Sequence, residues 1–104
     1  MRDRTSISHD EVIIRRLRKS PAFAAEYLRA AMEDTEEPRV LLVALRQIAE
    51  ARGGMAKVAN AAGIERESLY RALSKRGNPR LSTLFAVTKA MGLTLTVEGL
   101  HPSE

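Results

Sequence analysis

Glycine cuts the second half of this 104-residue chain into short pieces, at Gly53-Gly54, Gly63, Gly77 and Gly92, and no long helix or sheet strand can run through them. The stretch AKVANAAGIERESLY, residues 56–70, is the most telling piece. It is alanine-rich and apolar up to Gly63, then restarts at once with Glu65-Arg66-Glu67-Ser68. A helix that only had to bury itself would not be interrupted there. Two short helices set at an angle would be, and that arrangement is one way of offering a helix to the major groove of DNA.

The rest of the composition fits a helical answer. The chain is 44% hydrophobic but only 4% aromatic, so its core must be built from Ala, Leu, Val and Ile. Close-packed helices suit those side chains better than a β-sandwich does. A chain of this length makes one compact unit that buries roughly two thirds of its unfolded surface. Without cysteine there is no disulfide, no thiolate zinc site and no thiol catalysis. The N-terminus, MRDRTSISHDE, has no apolar signal region, and no segment has the length of a membrane span, so a cytoplasmic protein with no membrane partner is expected.

Charge is unevenly distributed. Residues 1–52 carry ten basic and nine acidic side chains, whereas residues 57–89 carry seven basic and two acidic ones, within an overall net charge of +4. A basic second half suits a polyanion, though a solvated charged face gives the same count.

Helix boundaries are readable from their punctuation. Ser8 and Glu11 form a capping box that opens a first helix carrying Val12, Ile13 and Leu17. Ser20-Pro21 opens a second, with Phe23/Tyr27 and Leu28/Met32 at i,i+4 spacing and Phe23 expected against the third helix. The acidic stretch from Glu33 to Glu37 has nothing to bury and reads as a linker. Pro38 begins a third helix with an apolar stripe of Leu41, Leu42, Leu45, Ile48 and Ala49, stopped by Gly53-Gly54. A fourth helix is expected over 55–62 and a fifth over 66–74. Gly77-Asn78-Pro79 then turns the chain into a sixth, opened by Ser82 and ended by Gly92. Finally Leu93, Leu95 and Val97 alternate with Thr94, Thr96 and Glu98, the period of a β-strand. No second segment could pair with it, so a partner strand from another chain is expected.

With Met55 as its first position, the region matches a helix-turn-helix of about twenty residues. Val58, Ala62, Ile64, Leu69 and Ala72 fall at the apolar places, Ala59 at the small one and Gly63 at the turn. Met55 itself stands where such motifs often carry a polar residue facing phosphate. On this reading the exposed face of the fifth helix, Glu65, Arg66, Glu67, Ser68, Tyr70 and Arg71, meets base edges. Arg66 and Arg71 suit guanine and Glu67 suits cytosine N4. Lys57, Lys75, Arg76 and Arg80 lie at helix ends, where side chains usually meet phosphate.

Over about residues 9–98 the sequence resembles the HigA-like antitoxins, the probable addiction module antidote proteins. AEYLRAAMED (25–34) and ALRQIAEARGGMAKVANAAGIERESLYRALSKRGNPRLSTLFAVTKAMGLTLTV (44–97) carry the resemblance, and RESLYRALSKRGNPRLSTL (66–84) is its most specific run. The resemblance implies a λ-repressor-like DNA-binding domain, a toxin partner of the HigB/RelE-like mRNA-interferase class, and repression of the shared operon through its operator DNA. The expected architecture is therefore all-α: an N-terminal helical extension at 1–37, a candidate for toxin contact, and a helix-turn-helix domain at 38–104 with one short C-terminal strand.

Two further surfaces invite partners. The first helical pair carries the basic run Arg15-Arg16-Leu17-Arg18-Lys19, and Glu33, Asp34, Glu36 and Glu37 could steer a basic toxin or simply face solvent. Leu93, Leu95 and Val97 are the expected dimer contact, since a palindromic operator requires a homodimer; pairing with a strand of the toxin is the alternative. Catalysis is not expected. His9 and His101 lie near opposite ends, Glu36-Glu37 are adjacent in a loop, and no nucleophile–base pair or phosphate loop is present. No cofactor is implied. Besides the antitoxin, a stand-alone phage-repressor-like regulator and a helical interaction module without DNA binding remain open.

Overall fold

The computed structural model describes residues 8–33 and 36–100, and these form six helices. They are α1 (His9–Lys19), α2 (Pro21–Glu33), α3 (Pro38–Ala51), α4 (Met55–Ala62), α5 (Arg66–Ala72) and α6 (Leu81–Ala90). Asp34 and His101 lie outside the described residues.

The first two helices begin where a serine side chain satisfies a free N–H group. At α1 the capping box is complete: Ser8 Oγ accepts from the Glu11 N–H at 3.0 Å, and the Glu11 carboxylate accepts from the Ser8 N–H at 3.4 Å. Ser20 Oγ accepts from the Phe23 N–H at 3.0 Å and starts α2. Pro38 sits in the first turn of α3, where its missing N–H costs nothing. The opening of α6 differs from the sequence expectation. Arg80, extended at φ −69° and ψ 158°, is the N-cap, and Ser82 lies inside the helix. The Leu84 N–H already donates to the Arg80 carbonyl at 3.0 Å, so the helical ladder begins before Ser82 can cap it.

α3 is the spine. α1 and α2 pack on it and on each other, and α4 joins it to α6. Ile13 and Leu17 of α1, Leu28 of α2, Leu45 and Ile48 of α3, Val58 of α4, Leu69 of α5 and Val87 of α6 belong to one buried cluster. Alanines 24, 31, 44, 49 and 59 lie within it and let the helix axes approach closely. Phe23 is half-buried rather than buried, stacked 5.7 Å from Tyr27 and covered by the Arg16 guanidinium 4.1 Å from its centroid.

One polar chain crosses this apolar interior. The Tyr27 hydroxyl donates to Gln47 Oε1 at 2.6 Å, and Gln47 Nε2 donates to Asp10 at 2.6 Å. The chain links α2, α3 and α1 and leaves the buried Gln47 amide partnered at both ends. Burial raises the Tyr27 pKa above the usual phenol value, and the Asp10 charge pushes the same way.

The C-terminal strand is not formed. Among the described residues there is no strand at all, and residues 93–100 run extended without a ladder partner. Leu93 and Leu95 are half-buried beside Leu28 and Met32 of α2, and Arg29 donates to Glu98 at 2.7 Å. The alternation is real, but it comes from an extended backbone laid along a helix. Inward leucines and outward threonines arise there without a sheet.

Candidate nucleic-acid interface

The pair α4–α5 is fixed by the residue between its two parts. Gly63 adopts φ 71° and ψ 29°, the left-handed region that lets α4 close in a Schellman turn. The Ile64 N–H donates to the Ala59 carbonyl at 2.9 Å, and the Gly63 N–H to the Asn60 carbonyl at 3.2 Å. Ile64 then packs on the core, and Glu65 extends the chain into α5. Met55, the first residue of α4, is buried at 4% exposure and is unavailable to phosphate.

α5 closely approaches α4 and no other helix, so the clamp expected from both α3 and α6 reaches it through α4. Leu69 on α5, and Leu73 just beyond it, are wholly buried. The opposite face is open. Arg66 and Tyr70, and Glu67 and Arg71, stand one turn apart on it, and Tyr70 is half exposed. Glu65 is also exposed, and Ser68 is half-buried with its hydroxyl 3.4 Å from the Glu65 carboxylate, which accepts from it.

α5 ends at Ala72, two residues earlier than its sequence suggests. Ser74 Oγ donates to the Arg71 carbonyl at 2.8 Å, and the Gly77 N–H donates to the Ser74 carbonyl at 2.8 Å. This tight turn leads the chain past Asn78 and Pro79 into α6. It leaves a cleft of about 490 Å³ beside α5, lined by Ser68, Arg71, Arg76 and Arg80 among others. No carboxylate lines the cleft. Arginines from a helix, a turn and an N-cap therefore border one depression, a composition suited to phosphodiester oxygens. Asn78 and Thr83 line it as well and were not anticipated. The only sequence signal at Asn78 was the turn chemistry of Gly77-Asn78-Pro79, which marks a change of direction and not a donor.

Two residues expected at phosphate lie outside this cleft. Lys57 is exposed on α4, with its aliphatic stem lying over Gly53. Lys75 lines a separate groove between α2 and α3. Of the expected dimer residues, Leu93 and Leu95 are turned onto α2, and Val97 alone is almost fully exposed, at 96%.

This geometry defines a small helical protein with a cationic, helix-presenting face. Residues 11–99 match the family of probable addiction module antidote proteins, and the chain belongs to that family. An uncharacterized protein from Haemophilus influenzae is 42% identical over 72 residues, which are 69% of this chain and 72% of the relative. No solved structure matches. Membership implies a toxin as partner. Among the described residues no helix is long and apolar enough to cross a membrane.

Proposed function

We propose that this protein is the antitoxin of a toxin–antitoxin module, neutralising a HigB/RelE-like mRNA-interferase by direct binding and repressing its own operon. On this reading α4–α5 is a helix-turn-helix in a λ-repressor-like domain. α5 enters the major groove, and the protein works as a binding partner in the cytoplasm rather than as an enzyme. The observation that carries the DNA half is the open face of α5 beside the three-arginine cleft. Arg66, Glu67, Tyr70 and Arg71 are free to meet base edges, while Arg71, Arg76 and Arg80 can hold the adjoining backbone. Family membership supports the toxin half and disfavours the stand-alone regulator.

Gel-shift titration against the DNA upstream of the operon tests the reading. Arg66→Ala and Arg71→Ala should each reduce the preference for that DNA by about 1–3 kcal/mol for every base edge that the arginine reads. Wild-type protein with no preference over random DNA would refute operator recognition. Co-expression with the neighbouring toxin gene tests the other half, because an antitoxin must retain that partner through purification.

Two half-sites one helical turn apart, about 34 Å, require a homodimer. With Leu93 and Leu95 half-buried beside α2, Val97 and Leu100 are the exposed apolar groups offered for self-contact at this end. Removing residues 93–104 should give monomers in the ultracentrifuge, and an unchanged dimer would move the contact to another surface.

A further inference from the structure

A second concavity, a groove of about 560 Å³, lies between α2 and α3, floored by Tyr27, Ala30, Ala31, Val40 and Val43. Val40 and Val43 are 40% and 39% exposed, although they sit on a helix that buries Leu42, Leu45 and Ile48. The charges around this floor are not balanced. Arg39 is paired with Glu37 at 3.7 Å, while Arg46 and Lys75 line the groove with no ion-pair partner among the described residues. Lys75 is also the immediate neighbour of Arg76, which lines the arginine cleft beside α5.

An apolar floor with two unpaired cations suits an amphipathic segment that carries a carboxylate. A small ligand would be left largely uncovered here, whereas a helix laid lengthwise would cover the two valines and bring an acid to Arg46 and Lys75. We propose that this groove holds such a carboxylate-bearing amphipathic segment of the toxin, and that Lys75, shared with the DNA-facing side, sets toxin binding against DNA binding. The inference rests on the antitoxin reading. A toxin carboxylate on Lys75 withdraws one cation per protomer from the phosphate-facing set, so the loaded protein binds its operator more weakly and with a shallower salt dependence.

The test uses the full chain co-expressed with the neighbouring toxin. Val43→Glu should weaken toxin retention at least about tenfold, since it places a buried charge on the apolar floor and repels the incoming acid. Phe85→Glu, at an exposed apolar residue on α6, should leave retention unchanged, and circular dichroism should show both variants folded. Lys75→Gln should weaken toxin binding and abolish the toxin's effect on operator affinity. In wild type, added toxin should reduce the salt slope by about two for a dimer.

Each alternative result is decisive. Toxin retained equally by wild type and Val43→Glu overturns the groove while leaving the antitoxin reading intact. Toxin retained by neither overturns both. If Val43→Glu instead converts a dimer to monomers, the groove is a self-interface and its assignment to the toxin is wrong. Toxin that strengthens operator binding equally in wild type and Lys75→Gln overturns the opposition at Lys75.

Discussion

A Cβ placed on Gly77 would collide with the carbonyl of Ala72, a backbone atom that cannot swing aside. Gly63 presents the opposite case: its surroundings are open, but its φ of 71° is one that L-residues rarely adopt. Gly77→Ala should therefore destabilise the protein by about 1–3 kcal/mol through overpacking and reshape the arginine cleft. Gly63→Ala should cost about 1 kcal/mol through backbone strain, with the cleft intact. Urea denaturation paired with operator titration separates them, because only Gly77→Ala should lose more DNA affinity than its stability loss explains. Tyr27 offers a second test at this scale. Its folded pKa is raised, so the folded state holds the phenolic proton more tightly than the unfolded chain does. Its contribution is complete below the unfolded value of about 10 and is lost as pH rises through the folded one. Thermal stability should fall as pH passes 10, and Tyr27→Phe should remove that part of the fall while costing about 1–3 kcal/mol at neutral pH by orphaning the Gln47 oxygen.

The described elements separate what local sequence determines from what only packing determines. Helix starts were legible at Ser8, Ser20 and Pro38 because a cap is a contact between near neighbours. So was the bend at Gly63, because backbone sterics alone demand it. Ser82 misled because a serine can cap only where the chain enters extended, and that residue is Arg80. Leu93–Val97 misled because alternation reports an extended backbone with one buried side, whether a sheet or a helix does the burying. The open face of α5 was readable from the apolar positions of Leu69 and Leu73. The place of Lys75 beside the groove between α2 and α3 was not, since it depends on how the turn after Ala72 meets those helices. The extended C-terminal segment makes its own prediction. The Arg29–Glu98 pair is more than half exposed on both sides, so Arg29→Ala should change stability by less than about 0.5 kcal/mol. Leu93→Ala and Leu95→Ala, which remove half-buried apolar area against α2, should each cost about 1 kcal/mol. Denaturant midpoints decide between leucine packing and the ion pair as the clasp.

At the scale of the whole molecule, charge and shape divide the labour. The acidic side chains that balance the net charge of +4 lie mainly before residue 52, and the excess of cations lies in the half that carries α5 and its cleft. Such an asymmetry orients the protein as it approaches a polyanion, and its strength is measurable without knowing the operator. Arg71, Arg76 and Arg80 line the cleft, and Lys75 adjoins them in the chain, so the proposed DNA reading gives about four phosphate-facing cations per protomer. For a dimer the logarithm of the binding constant should then fall with the logarithm of salt concentration at a slope near −7, about −0.9 for each of about eight phosphates neutralised. Arg80→Gln removes one phosphate partner per protomer and should bring the slope to about −5, while weakening operator and random DNA alike. Arg66→Ala should do the reverse, leaving the slope nearly unchanged and reducing discrimination between the two DNAs. A flat salt response in the wild-type protein would mean that the cationic face meets no phosphate. The fold would then serve as a protein-binding module alone, with Arg71, Arg76 and Arg80 as solvated surface.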